Sequence, residues 1–231
     1  MIIAIDGPAG AGKSTVTRLL ADRLGFQFLD TGAMYRAVTY VALRDNVALN
    51  DQERLAEIAQ NIDLRFEGDE VFIDGENVSL AIRTPEVTRK IKSIADAVEV
   101  RSHLVALQQK IAATGDFISE GRDQGTVAFP DAICKIFLTA STRFRAVRRA
   151  LQMQQQGISA DLEEVIAEIN ARDYNDENRK VGRLLKADDA VEVNTDNKTV
   201  NDVVDELEQI AKEKIADGRL LSDSCSKTKA V

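Results

Sequence analysis

The chain has 231 residues, 44% hydrophobic and 29% charged, with a formal net charge of −8. That composition belongs to a globular protein with a substantial core, the length suits one domain with an insertion, and the acidic balance excludes nucleic acid or an anionic membrane surface as the main partner. Two cysteines (Cys134 and Cys225) and one histidine (His103) exclude a disulfide scaffold and a Cys/His metal site, and no apolar run approaches the roughly 20 residues of a membrane span.

Met1 to Ile5 (MIIAI) reads as a buried strand. No basic stretch precedes it, so no signal peptide is expected and the chain is assigned to the cytoplasm. Gly7, Pro8, Ala9, Gly10, Ala11, Gly12, Lys13, Ser14 and Thr15 (GPAGAGKST) then fit G-x-x-x-x-G-K-[ST] at every fixed position, and apolar residues recur at helical spacing over Val16 to Leu24. Glycines between a strand and a helix let successive N–H groups turn inward as an anion nest. The helix start adds the positive end of its dipole. Lys13, expected at the surface, brings a full charge to β- and γ-phosphates, and the Ser14 hydroxyl suits Mg²⁺. A plain Gly-rich turn explains neither residue.

Phe26 to Leu29 is a second short strand, running into a helix from Asp30 or Thr31 to about Arg44. Asp51 to Gln60 is an amphipathic helix. Alternation over Ile62 to Phe66, then Glu70 to Asp74, an Asp74-Gly75 hairpin signal and Asn77 to Leu80 predict an antiparallel meander over 62–80, inserted in an otherwise alternating β/α chain. Thr84 and Pro85 start the next helix as N-cap and first residue, with a break near 97–99 and continuation to Ala113. Phe117 to Ser119 is a strand leading into Glu120-Gly121-Arg122-Asp123. Ile133 to Leu138 is another, followed by an arginine-rich helix carrying Arg143, Arg145, Arg148 and Arg149. Asp161 to Tyr174 is helical, Ala190 to Val193 is a last strand, Thr199 to Ala216 is a closing helix, and Leu220 onward is a polar tail.

Strands alternating with helices imply a parallel sheet flanked by helices, with ligands at the carboxyl ends of the strands. Arg36, Arg122, Arg172 and Arg179 fall in loops or helix ends on that side, and arginine favours bidentate contact with phosphate oxygens. The segment Arg172 to Arg179 reads either as a salt-bridged surface helix or as a lid bringing arginines to phosphates.

The stretches IDGPAGAGKST, DTGAMYR and EGRDQGTVAFPDA, with the spacing R-D-x-x-D-x-x-R and the meander after the second strand, resemble the bacterial cytidylate kinases over about residues 1–215. The resemblance implies an adenylate-kinase-like α/β fold with a phosphate loop, a parallel sheet flanked by helices and a small antiparallel insertion. It implies a nucleoside monophosphate kinase domain over 1–217, with a core of 1–36 and 115–217, an acceptor region of about 37–114, a lid of about 152–180 and a tail of 218–231. ATP, with Mg²⁺ as cofactor, would phosphorylate CMP or dCMP. Thr31, Arg36, Arg101, Arg122, Asp123, Arg172, Asp176 and Arg179 match the family's acceptor site. In it Arg36, Arg122 and Arg179 hold the acceptor phosphate, Arg101 and Asp123 read the cytosine, and Thr31, Arg172 and Asp176 lie near the sugar. Lys13, Arg122, Arg179 and Arg149 would act on the transferring phosphate, with Arg145 stacking on adenine. The chain departs from the family where Lys92 precedes Ser93, which leaves the base contact on that side open.

The readings left beside it are a kinase for another small acceptor, UMP or shikimate-like, and an ATP-binding module without turnover. A monomer is expected, with neither nucleic acid nor membrane as partner.

Overall fold

The computed structural model describes residues 1–155 and 157–228, with side chains through Gly218. By internal contacts the chain forms two compact units, Met1–Phe28 with Gly115–Val231, and Leu29–Thr114.

The first unit is built on a five-stranded sheet of order β2-β6-β1-β7-β8. Its strands are β1 (Ile2–Asp6), β2 (Gln27–Asp30), β6 (Phe117–Gly121), β7 (Cys134–Thr139) and β8 (Val191–Asn194). β1 lies in the middle, parallel to β6 with Ile5 opposite Glu120 and parallel to β7 with Ile5 opposite Ile136. A strand paired on both edges reads as a continuous apolar run, and Ile3, Ala4 and Ile5 are indeed fully buried. Helices α1 (Lys13–Leu24) and α8 (Val200–Thr228) pack together. Val16, Leu20, Val203, Val204 and Leu207 join Ile3, Ile5, Ile136 and Leu138 in one core; each large side chain removed from water contributes about 1.5–3 kcal/mol. Helices α6 (Thr142–Gln155) and α7 (Leu162–Glu177) pair around a smaller cluster of Ala146, Val165 and Ile169.

The second unit holds α2 (Thr31–Arg44), α3 (Gln52–Asn61), the strands β3 (Leu64–Glu67), β4 (Glu70–Ile73) and β5 (Glu76–Asn77), and α4 (Pro85–Ala95) and α5 (Val98–Ala112). Its three strands form the expected antiparallel meander, with Leu64 opposite Ile73 and Phe72 opposite Asn77. Asp74 and Gly75 both take positive φ, 52° and 83°, the conformation a two-residue hairpin turn of right-handed strands requires. Thr84 caps α4 with its hydroxyl accepting from the Val87 amide, and Pro85 opens the helix. α2 packs against α4, and α3 against α5.

Two elements differ from the sequence reading. After Asp123 the chain makes a wide turn over Gln124–Ala128, in which the Ala128 amide reaches the Asp123 carbonyl and the Phe129 amide the Gln124 carbonyl, five residues back. The closing helix does not end at Ala216: its backbone continues to Thr228, where a polar tail was expected, and residues 229–231 of that tail lie outside the described residues. Among the described residues no helix is long and apolar enough to cross a membrane.

Candidate active site

The phosphate loop joins β1 to α1 at the carboxyl edge of the sheet. Gly7 approaches β7 so closely that a Cβ there would lie 2.0 Å from the Leu138 carbonyl oxygen, and its φ of 152° is one that side-chain-bearing residues rarely adopt. A backbone this close to a neighbouring strand admits glycine alone.

Lys13 is buried rather than at the surface, a correction to the sequence reading. Its Nζ donates to the carbonyls of Gly7 (2.7 Å) and Pro8 (2.8 Å). The loop wraps around the start of α1, so its carbonyls enclose the ammonium. Burial first, and then the positive charge of Arg122, push the Lys13 pKa well below its ordinary value, while Glu120 and Asp6 oppose the shift. The Ser14 hydroxyl donates to Oε1 of Glu120 at 2.6 Å. A hydroxyl beside a buried carboxylate is a hard-oxygen donor set that fits Mg²⁺; among the described residues no group of three or more acidic, His or Cys side chains offers another site.

β6 ends in Glu120 and Gly121, followed by Arg122 and Asp123. Glu120 and Asp123 are buried and Arg122 is half-buried. The wide turn beyond Asp123 is anchored twice: Ser119 Oγ bonds Gln124 Oε1 at 2.6 Å, and the Asp6 carboxylate accepts from the amides of Gln124 and Gly125.

Asp176 bonds two arginines. Its Oδ2 accepts from Arg122 Nε at 2.8 Å and its Oδ1 from Arg179 Nη2 at 2.7 Å. Burial raises its pKa, but the guanidinium charges of Arg122, Arg179 and Arg172, with the Arg122 hydrogen bond, outweigh it and hold the carboxyl below its ordinary range. The i, i+3 pair of Asp176, near the end of α7, with Arg179 just beyond it was legible in the sequence, but the tie from Asp176 to Arg122 just past β6 was not.

Arg145 is buried and bonded on four sides. It donates to the carbonyls of Ala140 (3.0 Å) and Ala9 (2.9 Å), to Thr142 Oγ1 (3.2 Å) and to Asp173 Oδ2 (2.6 Å). Its side chain also lies 3.3 Å from where a Cβ on Gly10 would sit. The guanidinium thus clamps the phosphate loop to α7. Arg149 and Arg172 are exposed on α6 and α7.

In the second unit Thr31 and Arg101 are buried and Arg36 is half-buried. Arg36 donates to Thr88 Oγ1 at 2.8 Å, and Arg101 donates to the Ala95 carbonyl at 3.2 Å with its guanidinium 5.4 Å above the Tyr35 ring. Lys92 is exposed and Ser93 half-buried on α4.

Comparison with known proteins decides what this architecture is. The sequence pattern of the family described as "Cytidylate kinase" matches residues 3–213. The chain belongs to the cytidylate kinase family. Cytidylate kinase from Rhodopirellula baltica is 47% identical over 213 residues, covering 92% of this chain and 93% of that protein. The Enterococcus faecalis cytidylate kinase is 44% identical over 216 residues, covering 92% and 96%. A Trichodesmium erythraeum protein described as a bifunctional pantoate ligase/cytidylate kinase is 46% identical, covering 91% of this chain and 41% of that protein. Membership makes the chain a phosphotransferase of the phosphate-loop kinases and nucleotides its substrates.

Within this cytidylate kinase architecture several contacts went unread in the sequence. Glu120, Asp173 and Thr88 hold Ser14, Arg145 and Arg36, which were singled out, while Asp6 and Gln124 hold the turn that follows Asp123. Asp6 and Glu120 did leave a trace: each is a carboxylate closing an otherwise apolar parallel strand (IIAID and FISEG), where an unligated charge has no reason to be buried. Asp173 left none, since its partner Arg145 is 28 residues away.

Proposed function

We propose that the chain transfers the γ-phosphate of ATP to CMP or dCMP, giving ADP and CDP or dCDP, in the cytoplasm. The observation that carries this reading is the Asp176 bridge. One carboxylate holds Arg122 and Arg179 side by side within one unit that also contains the phosphate loop, and phosphoryl transfer asks for positioned cations and little else.

In this reading the loop Gly7 to Thr15 cradles the donor phosphates with its amides. Lys13 exchanges the carbonyls of Gly7 and Pro8 for β- and γ-phosphate oxygens. Ser14, supported by Glu120, would hold Mg²⁺, which supplies charge neutralisation when bound. Arg145 keeps the loop in shape from the side of α6, so the apolar stem of Arg145 is the part left to the adenine. Arg149 approaches the transferring phosphate. Arg122 and Arg179 take the acceptor phosphate as a pair, because both planar guanidiniums are already oriented by Asp176. Arg36 is a third arginine assigned to that phosphate. Thr31, Arg172 and Asp176 serve the sugar. Asp123 and Arg101 read the cytosine: a carboxylate accepts from the exocyclic amine at C4, and uracil presents a carbonyl oxygen there instead. The contact is worth about 1–3 kcal/mol, by analogy with carboxylate reading of cytosine in DNA grooves.

The test is ADP formation with CMP, dCMP, UMP, AMP and shikimate as separate acceptors. The cytidine nucleotides should give the highest kcat/KM. Equal or higher efficiency with UMP or shikimate would replace the acceptor assignment, and no ADP with any acceptor would make the chain a binding module.

A further inference from the structure

The Asp6 carboxylate ends β1 one residue before the phosphate loop and is buried. It receives the Gln124 amide at 2.8 Å and the Gly125 amide at 2.7 Å. These are the first two amides of the wide turn that follows Asp123. The first amides of any helical turn have no acceptor within it and need one from outside. The residue placed to cap this turn is Asp123, yet its side chain makes no cap bond, and its backbone φ of −141° and ψ of 27° lie outside the helical region. Asp6 caps the turn instead, from the neighbouring strand and across 118 residues of sequence. The Gln124 side chain, bonded to Ser119, fixes the same turn from the other side.

We propose that Asp6 is the positioning residue for Asp123. By capping the turn from β1, it sets where the base-reading carboxylate stands relative to the phosphate loop, so that acceptor selection is tied to the residue preceding the donor-binding glycines. The inference rests on the CMP-kinase reading above and deepens it. A carboxylate is required at position 6 because two amides must be accepted at once, one by each oxygen. Asparagine offers one acceptor oxygen and turns an NH₂ toward the second amide, leaving that donor unsatisfied in a buried place.

The experiment compares the unaltered chain with Asp6→Asn and with Gly125→Ala. The second variant crowds the same contact without touching β1: the new methyl group would stand 3.4 Å from Asp6 Oδ2 and 3.2 Å from Lys135 Cδ, tight enough that a neighbour must give by a few tenths of an ångström. It carries the test if Asp6→Asn fails to fold. For each, kcat/KM is measured for CMP and UMP and KM for ATP, and hydrogen exchange is followed at the Gln124 and Gly125 amides. The ratio of CMP to UMP efficiency should fall about tenfold, the loss of one hydrogen bond's worth of discrimination, while KM for ATP changes less than about threefold, within the scatter of such effects. Exchange at Gln124 and Gly125 should quicken. Equal losses for CMP and UMP, or a KM for ATP that rises in step, would give Asp6 a general structural role and overturn the inference, as would an unchanged ratio in the variants. An unaltered chain with no preference for CMP would instead defeat the functional reading, and this inference with it.

Discussion

Asp6 and Asp176 are both buried carboxylates, yet their surroundings move their acidities in opposite directions. Burial, with the nearby charge of Asp123, raises Asp6 to about 6 against its two amide bonds and Lys13. A raised acid binds its proton more tightly folded than unfolded, so its contribution to stability is complete below the unfolded value of 3.8 and is lost as pH rises through about 6. That loss amounts to roughly 3 kcal/mol, because each tenfold change in proton affinity is worth about 1.4 kcal/mol. Asp176 runs the other way. Its arginines depress it, so its contribution is present above 3.8 and lost as pH falls below it. Urea unfolding of the unaltered chain, Asp6→Asn and Asp176→Asn at pH 3 and pH 7 separates the two. Relative to the unaltered chain, Asp6→Asn should fare better at pH 7 than at pH 3, and Asp176→Asn worse. Parallel shifts in both variants would contradict the assignment. Asp176 was legible because its partner Arg179 lies only three residues on in sequence. Asp6 left a trace as a carboxylate at the end of an apolar strand, but its partners did not, because they are backbone amides of a turn that no sequence period marks.

The pairing of α6 with α7 matters as much as either helix alone. Arg145 and Asp173 bring the two together over the Ala9 carbonyl, with side-chain exposures of 5% and 14%. Removing one partner of a buried ion pair strands the other, at a cost of about 3–5 kcal/mol. Asp173→Ala should therefore destabilise the chain by about 3 kcal/mol in urea unfolding, and should raise KM for ATP more than KM for CMP because the phosphate loop loses its clamp. A loss below about 0.5 kcal/mol, the range of an exposed pair, would show the clamp to be incidental. Helix starts and hairpins were readable where the local chemistry is self-contained, as at Thr84-Pro85 and Asp74-Gly75. The wide turn at 124–128 was not, because its five-residue hydrogen bonds leave no periodic apolar pattern and its cap comes from β1. The end of α8 was misplaced for a related reason. The apolar period fades after Ile215, but backbone hydrogen bonding propagates residue by residue without it, and a glycine at 218 costs only about 1 kcal/mol.

At the scale of the molecule, the two units divide the proposed work. The loop, Glu120, Arg122, Asp123 and the Asp176 bridge belong to the first, and Thr31, Arg36, Arg101 and the meander to the second. The strand–loop–helix order and the alternation of strands and helices made the first unit readable, because parallel sheets place their ligands by rule. The long-range ties that hold its side chains were beyond any local pattern. If the second unit takes the acceptor, CMP should slow hydrogen exchange across the meander at 64–77 as well as at α2 and α5. Unchanged exchange in the meander would confine the acceptor's influence to the helices. The central claim, transfer of a phosphoryl group from ATP to CMP directed by the phosphate loop, is tested most directly by following the label of γ-³²P-ATP in the unaltered chain and in Lys13→Ala. The label should appear in CDP with the unaltered chain and fall about 100-fold or more in the variant, the scale seen when one charge-stabilising group is removed from a reaction centre. Label released as inorganic phosphate, or reaching CDP equally fast without the lysine, would contradict the account.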